Sequence, residues 1–418
     1  MPAVLATARA TSWSWKDVPP QGTALPTDGV PEAVPGEAGT SGRVATAAPL
    51  SPSETPRGSL RSPALFSLPV KLLRLVFKRL PMEALHWLKA YRTIRGFDVL
   101  IVPGTQVVSD YLCGPLAWPY DIFKWSMVAT ARGVRLVFLS VGVGPVTHPL
   151  SRWFIRKSLQ RAVYRSYRDE ISMQCARSLG VDTSRDAVCP DLAFGLQDDV
   201  APLEAAAPPG PGVIGIGLKD RGVLGDQRAA AAYHDYLRNM ATFTQWLCRR
   251  GYRVRLLLGD IQYDTPVGED FTALLRERLN DSELKLIVAG PAHSLKELVL
   301  QLTSTDAVVS PRFHSLLLAA VLGKPSIALS DHFKIDMLME GLGIPEYTMS
   351  LKTLDADSLI RRFQSLLGDA ERVRAQIRAS VTRSRLAAYA QYSEIFSRFG
   401  SDGASPAAYR TPQTDQQT

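Results

Sequence analysis

The chain predicts an α/β fold built as two halves, each a parallel sheet with helices on both faces. Three observations lead there. From residue 98 onward, short continuous apolar runs alternate with longer segments of helical period, the pattern of strands buried on both faces. Most runs end in glycine, proline or polar turns. A stretch rich in proline and alanine at 197–211 interrupts the alternation, which then restarts. The 418 residues, 46% of them hydrophobic, suffice for two domains and a tail. We expect a tail at 1–65, a first Rossmann-like domain at 66–200, a linker at 201–211, a second domain at 212–400 and a second tail at 401–418.

Segment 1–65 is poor in periodic apolar residues and rich in Pro, Ala, Ser, Thr and Gly, a disordered composition. Its basic residues Arg9, Lys16, Arg43, Arg57 and Arg61 are balanced by Asp17, Asp28, Glu32, Glu37 and Glu54. The net charge of +8 therefore lies beyond it. Segment 66–95 is strongly basic. Leu72, Leu73, Val76, Phe77 and Leu80 recur at helical spacing, with Lys71, Arg74, Lys78 and Arg79 between them, and Pro81 breaks or starts a helix. This suits a peripheral membrane contact or an outer helix with a solvated basic face. No aromatic-interleaved basic motif points to nucleic acid.

Strands are expected at 98–104, 136–141 and 164–167, with helices at 119–132, 149–163 and up to Gly180. Val188-Cys-Pro-Asp191 closes the first half. In the second half strands are expected at 212–218, 252–259, 284–288, 306–310 and 325–329. Helices are expected at 227–250, 267–279, 293–303, 313–322, 333–342 and 355–385. Ligands of open α/β sheets bind beyond the carboxyl ends of the strands, so chemistry is sought there.

Several charged residues stand at those ends. Arg312 and His314 open an apolar helix after 306–310, where a cation, a titratable ring and free helix amides suit an anion. Equally, His314 caps the helix and Arg312 pairs with a surface carboxylate. Lys334 follows the next strand at the same sheet edge, as phosphate partner or solvated lysine. Arg168 ends a strand of the first half and is placed to reach across the cleft, while Asp169 and Glu170 suit a helix start. Asp191 is a polar cleft residue or a turn former. Gly215-Ile216-Gly217-Leu218-Lys219 ends another strand but lacks the third glycine of a dinucleotide fingerprint, and no GxxxxGK[ST] loop occurs. There is no HExxH, no carboxylate cluster at ligand spacing and no GxSxG elbow, so neither metal chemistry nor a serine hydrolase is indicated. The four cysteines are scattered without a CxxC pair, which excludes a disulfide scaffold.

Taken in order, VLIVPGTQVVSD, LVFLSVGVGP, YRSYRDEIS, CPDLAF and SPRFHSLLLAAVLGKPSIALSDHFKIDMLMEGLG resemble the polysaccharide pyruvyl transferase family over about residues 95–345. The resemblance implies a GT-B-like architecture, two Rossmann-like domains facing a cleft. It implies transfer of the enolpyruvyl unit of phosphoenolpyruvate onto two sugar hydroxyls, giving a pyruvate ketal on a glycan or lipid-linked sugar and releasing phosphate, with no further cofactor and no metal. By motif, Arg312 and His314 belong to the donor site, Arg168 faces them and Lys334 is a further carry-over; Lys219, Asp191 and Ser109, at other strand and loop ends, are also expected among the substrate-binding residues. Ser109 and Asp110 end the first-domain loop. We expect His314 as the acid, flanked by anions that favour its charged form, and Asp110 as the base with Asp191 in reserve.

The family's glycine-rich loop reads Pro103-Gly104-Thr105-Gln106 here, and no opening strand is evident in 1–65. The first domain is therefore expected to lack its first βα unit. Two other readings share this architecture: a glycosyltransferase using a nucleotide sugar, and a non-catalytic glycan-binding member. A cytoplasmic protein, held peripherally at the inner face of the membrane, is the corresponding location.

Overall fold

The computed structural model describes residues 6–8, 80–104, 107–111, 113–196, 212–219, 227–259 and 261–399. The remainder of the expected tail 1–65, the basic run before Leu80, the linker 201–211 and the tail 401–418 lie outside the described residues.

The first lobe carries a five-stranded sheet in sequential order: β1 (Ala6–Ala8), β2 (Val99–Pro103), β3 (Arg135–Val141), β4 (Tyr164–Tyr167) and β5 (Ala187–Val188). All pairs are parallel except the antiparallel edge pair β1–β2. Four helices lie among these strands: α1 (Leu80–Thr93), α2 (Trp118–Ala131), α3 (Pro149–Leu159) and α4 (Glu170–Ser178). Alternation along β3 divides its side chains between two faces. Leu136 and Phe138 join the core shared with Ile122, Val128 and Ile155 of α2 and α3. Val137 and Leu139 point the other way, toward Val99, Tyr164 and Ile395.

In the second lobe six parallel strands run in the order β11-β10-β9-β6-β7-β8. They are β6 (Val213–Gly217), β7 (Arg253–Leu257), β8 (Ile287–Val288), β9 (Ala307–Ser310), β10 (Ser326–Ser330) and β11 (Thr348–Ser350). This is the doubly wound order, with its switch point between β6 and β9. The helices are α5 (Gln227–Arg249), α6 (Ile261–Arg278), α7 (Asp281–Leu284), α8 (Leu295–Thr303), α9 (Phe313–Val321), α10 (Phe333–Leu342), α11 (Ala356–Gly368) and α12 (Ala370–Phe399). One continuous apolar core joins this sheet to α5, α9 and α11 through residues such as Phe243, Leu317 and Phe363.

Two helices differ from expectation. The helix expected at 267–279 begins at Ile261 and runs through Pro266. The one expected at 355–385 is two, parted at Asp369, whose side chain is tied to Tyr347 at 2.8 Å. The second of these, α12, returns to the first lobe. Its buried Gln391 accepts a hydrogen bond from Ser140 Oγ at 3.1 Å and donates to Ser166 Oγ at 2.6 Å. Ser140 has φ 49°, the left-handed region that a non-glycine residue enters at a cost of roughly 1–2 kcal/mol. It shifts the β3–β4 register between Phe138 and Val141. Ser166 Oγ receives the backbone N–H that Ser140 would otherwise give to the ladder, at 2.7 Å.

At the switch point the two central strands nearly touch. A Cβ on Gly217 would lie 2.2 Å from Ser310 Oγ and 2.8 Å from its Cβ. Gly217→Ala should therefore cost about 1–3 kcal/mol by overpacking, read as a lower urea midpoint. An unchanged midpoint would show that the close contact is not a constraint.

Candidate active site

The carboxyl ends of β4, β9 and β10 converge on the groove between the lobes. Arg168 follows β4 directly, its backbone N–H donating to Val141 O at 3.1 Å. Its guanidinium is 10% exposed and lies between two carboxylates, with Nε 3.5 Å from Asp169 Oδ2 and Nη1 3.5 Å from Asp191 Oδ2. Across the groove its Cζ stands 5.1 Å from the ring centroid of Phe313, the first residue of α9. Gly142 leaves the room this needs, since a Cβ there would sit 3.0 Å from Nη2. Asp169 has a second task. Its Oδ1 accepts the Ser172 N–H at 2.7 Å and caps α4, as expected of a helix start. Asp191 Oδ1 accepts the Ala193 N–H at 3.0 Å, while its buried Oδ2 has no hydrogen bond.

On the second lobe, His314 is the second residue of α9. The N-cap is Arg312, without a side-chain cap bond, so His314 does not cap the helix. The His314 ring is open to the groove, yet the surrounding protein removes much of the water a charged ring needs. That desolvation lowers its pKa. The charge of Asp191 pulls it up, and those of Arg168 and Lys334 push it further down. The expectation that anions favour the charged ring is thus reversed: this histidine tends to be neutral. Lys334, in the first turn of α10, is shifted down to about 8, first by burial and then by the charge of Arg168, against the pull of Asp169 and Asp191. Arg168, Asp191, His314 and Lys334 therefore form one electrostatic group drawn from both lobes.

Four expected site residues are placed differently. Arg312 turns into the second lobe, where its guanidinium pairs with Asp264 and donates to Leu218 O at 3.2 Å. Asp264, 1% exposed, also accepts the Gly259 N–H at 3.1 Å. Arg312 thus fixes the β9–α9 turn rather than offering a free cation to the groove. Lys219 is paired with Asp331 at 2.5 Å, an ion pair within the second lobe. Asp110 is occupied by the backbone N–H groups of Thr147, at 3.0 Å, and His148, at 2.8 Å. Burial raises its pKa, but these bonds and one from Ser151 outweigh it and hold the carboxyl below its usual range. A carboxylate so held clamps the entry to α3 and is a poor base. Ser109 is buried beside it, with its carbonyl facing Cys113 Sγ at 3.8 Å. Sequence reasoning missed Phe313 and Gly142. An aromatic between Arg312 and His314, and the paired glycines after β3, were the available signals.

Among the described residues no three or more His, Cys, Asp or Glu side chains gather as metal ligands, and no helix is long and apolar enough to cross a membrane.

The family model described as polysaccharide pyruvyl transferase matches residues 52–332. The chain is 21% identical over 307 residues to the amylovoran biosynthesis protein AmsJ of Erwinia amylovora, covering 70% of this chain and 71% of that protein. A putative UDP-N-acetylglucosamine 2-epimerase from Listeria monocytogenes superposes with TM-score 0.54 at 13% identity, over 75% of this chain and 78% of that one. Another UDP-N-acetylglucosamine 2-epimerase gives TM-score 0.52 at 10% identity, over 78% and 79%. These two likenesses concern the fold, which is GT-B-like. The family model's match covers more than half of the chain, from residue 52 to residue 332, so the chain belongs to the polysaccharide pyruvyl transferase family.

Proposed function

We propose that this protein transfers the enolpyruvyl unit of phosphoenolpyruvate onto two hydroxyls of a glycan, forming a cyclic ketal and releasing phosphate. The observation that carries this reading is the meeting of Arg168, from the first lobe, with Phe313, His314 and Lys334 of the second. A three-carbon acid bearing a carboxylate and a phosphate needs several cations close together. Arg168 supplies a planar fork and Lys334 a compact charge.

The donor would also set the protonation of the acid. In the free protein His314 tends to be neutral because burial and two cations oppose its charge. An anion between those cations reverses the balance and charges the ring. Donor binding also gives Arg168 a partner competing with Asp191, which frees Asp191 Oδ2, the oxygen without a hydrogen bond. The first hydroxyl adds to C2 of the enolpyruvyl group and yields its proton to Asp191, while C3 takes the proton of His314 and becomes a methyl group. The second hydroxyl then attacks C2, the C2–O bond to phosphate breaks, and phosphate leaves with its electron pair and takes up the proton held by Asp191. The second hydroxyl's proton passes to the histidine left basic by the first step. The chemistry written this way requires no cofactor beyond the donor.

The expected membrane contact falls partly on described residues. On α1, Glu83 and Trp87 face α2, through bonds to Tyr120 at 2.9 and 2.8 Å. Met82, Leu85 and Leu88 are exposed, with Lys89 and Arg92 beside them. A surface of this kind, following a basic run, suits an anionic bilayer carrying a lipid-linked acceptor.

His314→Ala should lower turnover about 10²–10⁴-fold with an unchanged melting temperature; undiminished phosphate release would end the acid role. Lys334→Ala should weaken phosphoenolpyruvate binding by roughly 1.5–3 kcal/mol, read by calorimetry. The pH dependence has a definite sign. Lys334 is charged below about 8 and loses its proton above it. The part of the donor affinity that Lys334 supplies should therefore hold to that point and then fall with rising pH, and Lys334→Arg should flatten that upper part of the profile. In flotation assays, Leu85→Ser with Leu88→Ser should reduce the fraction of protein bound to anionic vesicles; equal binding by both forms would remove α1 from the contact.

A further inference from the structure

A second cavity, of about 280 Å³, opens at the carboxyl ends of β10 and β11, where Ser330 and Ser350 are register partners. It lies at the same sheet edge as His314. One wall is the segment Asp331–Phe333, which continues into Lys334 of the donor site. The His332 and Phe333 rings lie 4.4 Å apart at 34° and form an apolar shelf. Opposite stand the hydroxyl residues Thr348 and Ser350, and Asp336 and Lys352 bring opposite charges to the rim.

We infer that this cavity is the subsite for a neutral sugar ring of the acceptor. The inference rests on the pyruvyl-transfer reading for its catalytic meaning, but the binding it asserts can be measured alone.

Within the lining, charge is balanced rather than cationic. Lys219 is bound to Asp331 at 2.5 Å and Asp336 accompanies Lys352, while Lys334, the cation felt most strongly at His332, also feels Asp169 and Asp191 in the groove. Hydrogen-bonding capacity argues for a polyol. Thr348 Oγ1 and Asp331 Oδ1 are buried without a hydrogen-bond partner, an arrangement that costs free energy until the surroundings reorganise around a ligand. His332 Nδ1 accepts the Lys334 N–H at 3.3 Å, so the proton of a neutral ring sits on Nε2 as a donor. Burial, followed by the charge of Lys334, keeps that ring neutral. A pyranose offers hydroxyls on its rim and an apolar C–H face, matching the polar wall and the ring shelf. The volume is close to the lower limit of roughly 300 Å³ for small-molecule sites, enough for a sugar unit but not a nucleotide sugar. With Lys334 two residues beyond His332, a ring held here would present its edge to the donor.

Saturation-transfer NMR on the full chain tests this with methyl galactoside, methyl glucoside and methyl mannoside, and with glucose 6-phosphate as the anionic comparison. Ring-proton saturation is expected for at least one neutral hexoside. It should vanish in Phe333→Ala and drop several-fold in Ser350→Ala, with melting temperature checked for each. Phosphoenolpyruvate affinity, measured by calorimetry, should be unmoved in Ser350→Ala. The inference is overturned if no neutral hexoside is saturated, if both folded variants match the wild type, or if the phosphorylated sugar binds better. Hexoside binding without any phosphoenolpyruvate binding would uphold the subsite and defeat the donor assignment.

Discussion

One guanidinium ties the two lobes to a common chemistry. Arg168 is anchored in the first lobe by Asp169 and Asp191 and lies against Phe313 of the second. A cation so placed cannot be well solvated, so the two carboxylates and the ring face take over part of water's role. The arrangement sets the electrical character of everything around it. Burial first, and then the charge of Arg168, depress the basicity of Lys334 and of His314. The groove is nearly balanced in charge, yet Arg168 is only loosely paired with its two carboxylates, at 3.5 Å rather than in short bonds. An anion with better geometry can displace those carboxylates without dismantling the fold.

The second lobe contributes rigidity. Parallel strands align their ends, and the doubly wound order puts β6 beside β9 at the switch point. Gly217 permits the close approach, Ser310 Oγ accepts the Arg312 N–H at 3.0 Å, and the Arg312 side chain is locked to Asp264 and Leu218. The turn presenting Phe313 and His314 is therefore fixed by bonds beneath it. An Arg-x-His sequence at a strand end has two separable jobs here: the arginine shapes the turn and the histidine faces the groove.

Most of the sheet architecture was legible because buried parallel strands leave long apolar runs between turn residues. The short strands β1, β5 and β11 were not, since two or three residues carry no period; β1 stands within segment 1–65, where no strand was expected, and pairs with β2. Arg168 and His314 were legible as charged residues at strand ends, and Lys334 as their neighbour. What Arg312 does was not, because its partner Asp264 fell within an expected loop; α6 starts before Pro266, and that extension brings Asp264 onto the helix. The engagement of Asp110 was equally hidden. It depends on the N–H groups of Thr147 and His148, 37 and 38 residues away, and no local pattern announces a long-range clamp. Lys219 reads as a free cation in sequence and is an ion-pair member in space, for the same reason.

The path of α12 has a consequence for how the molecule is made. Ile395 packs on Val137 and Leu139, and Gln391 satisfies Ser140 and Ser166, so one face of the first sheet is completed by residues synthesised only after the second lobe's sheet. A nascent chain emerging amino end first would expose that apolar face throughout translation of the second lobe. The lobes are thus not independent folding units in time. The first waits for α12, which follows the second lobe's sheet in the chain, and a ribosome stalled short of residue 391 holds a half-clad sheet for chaperones to shield.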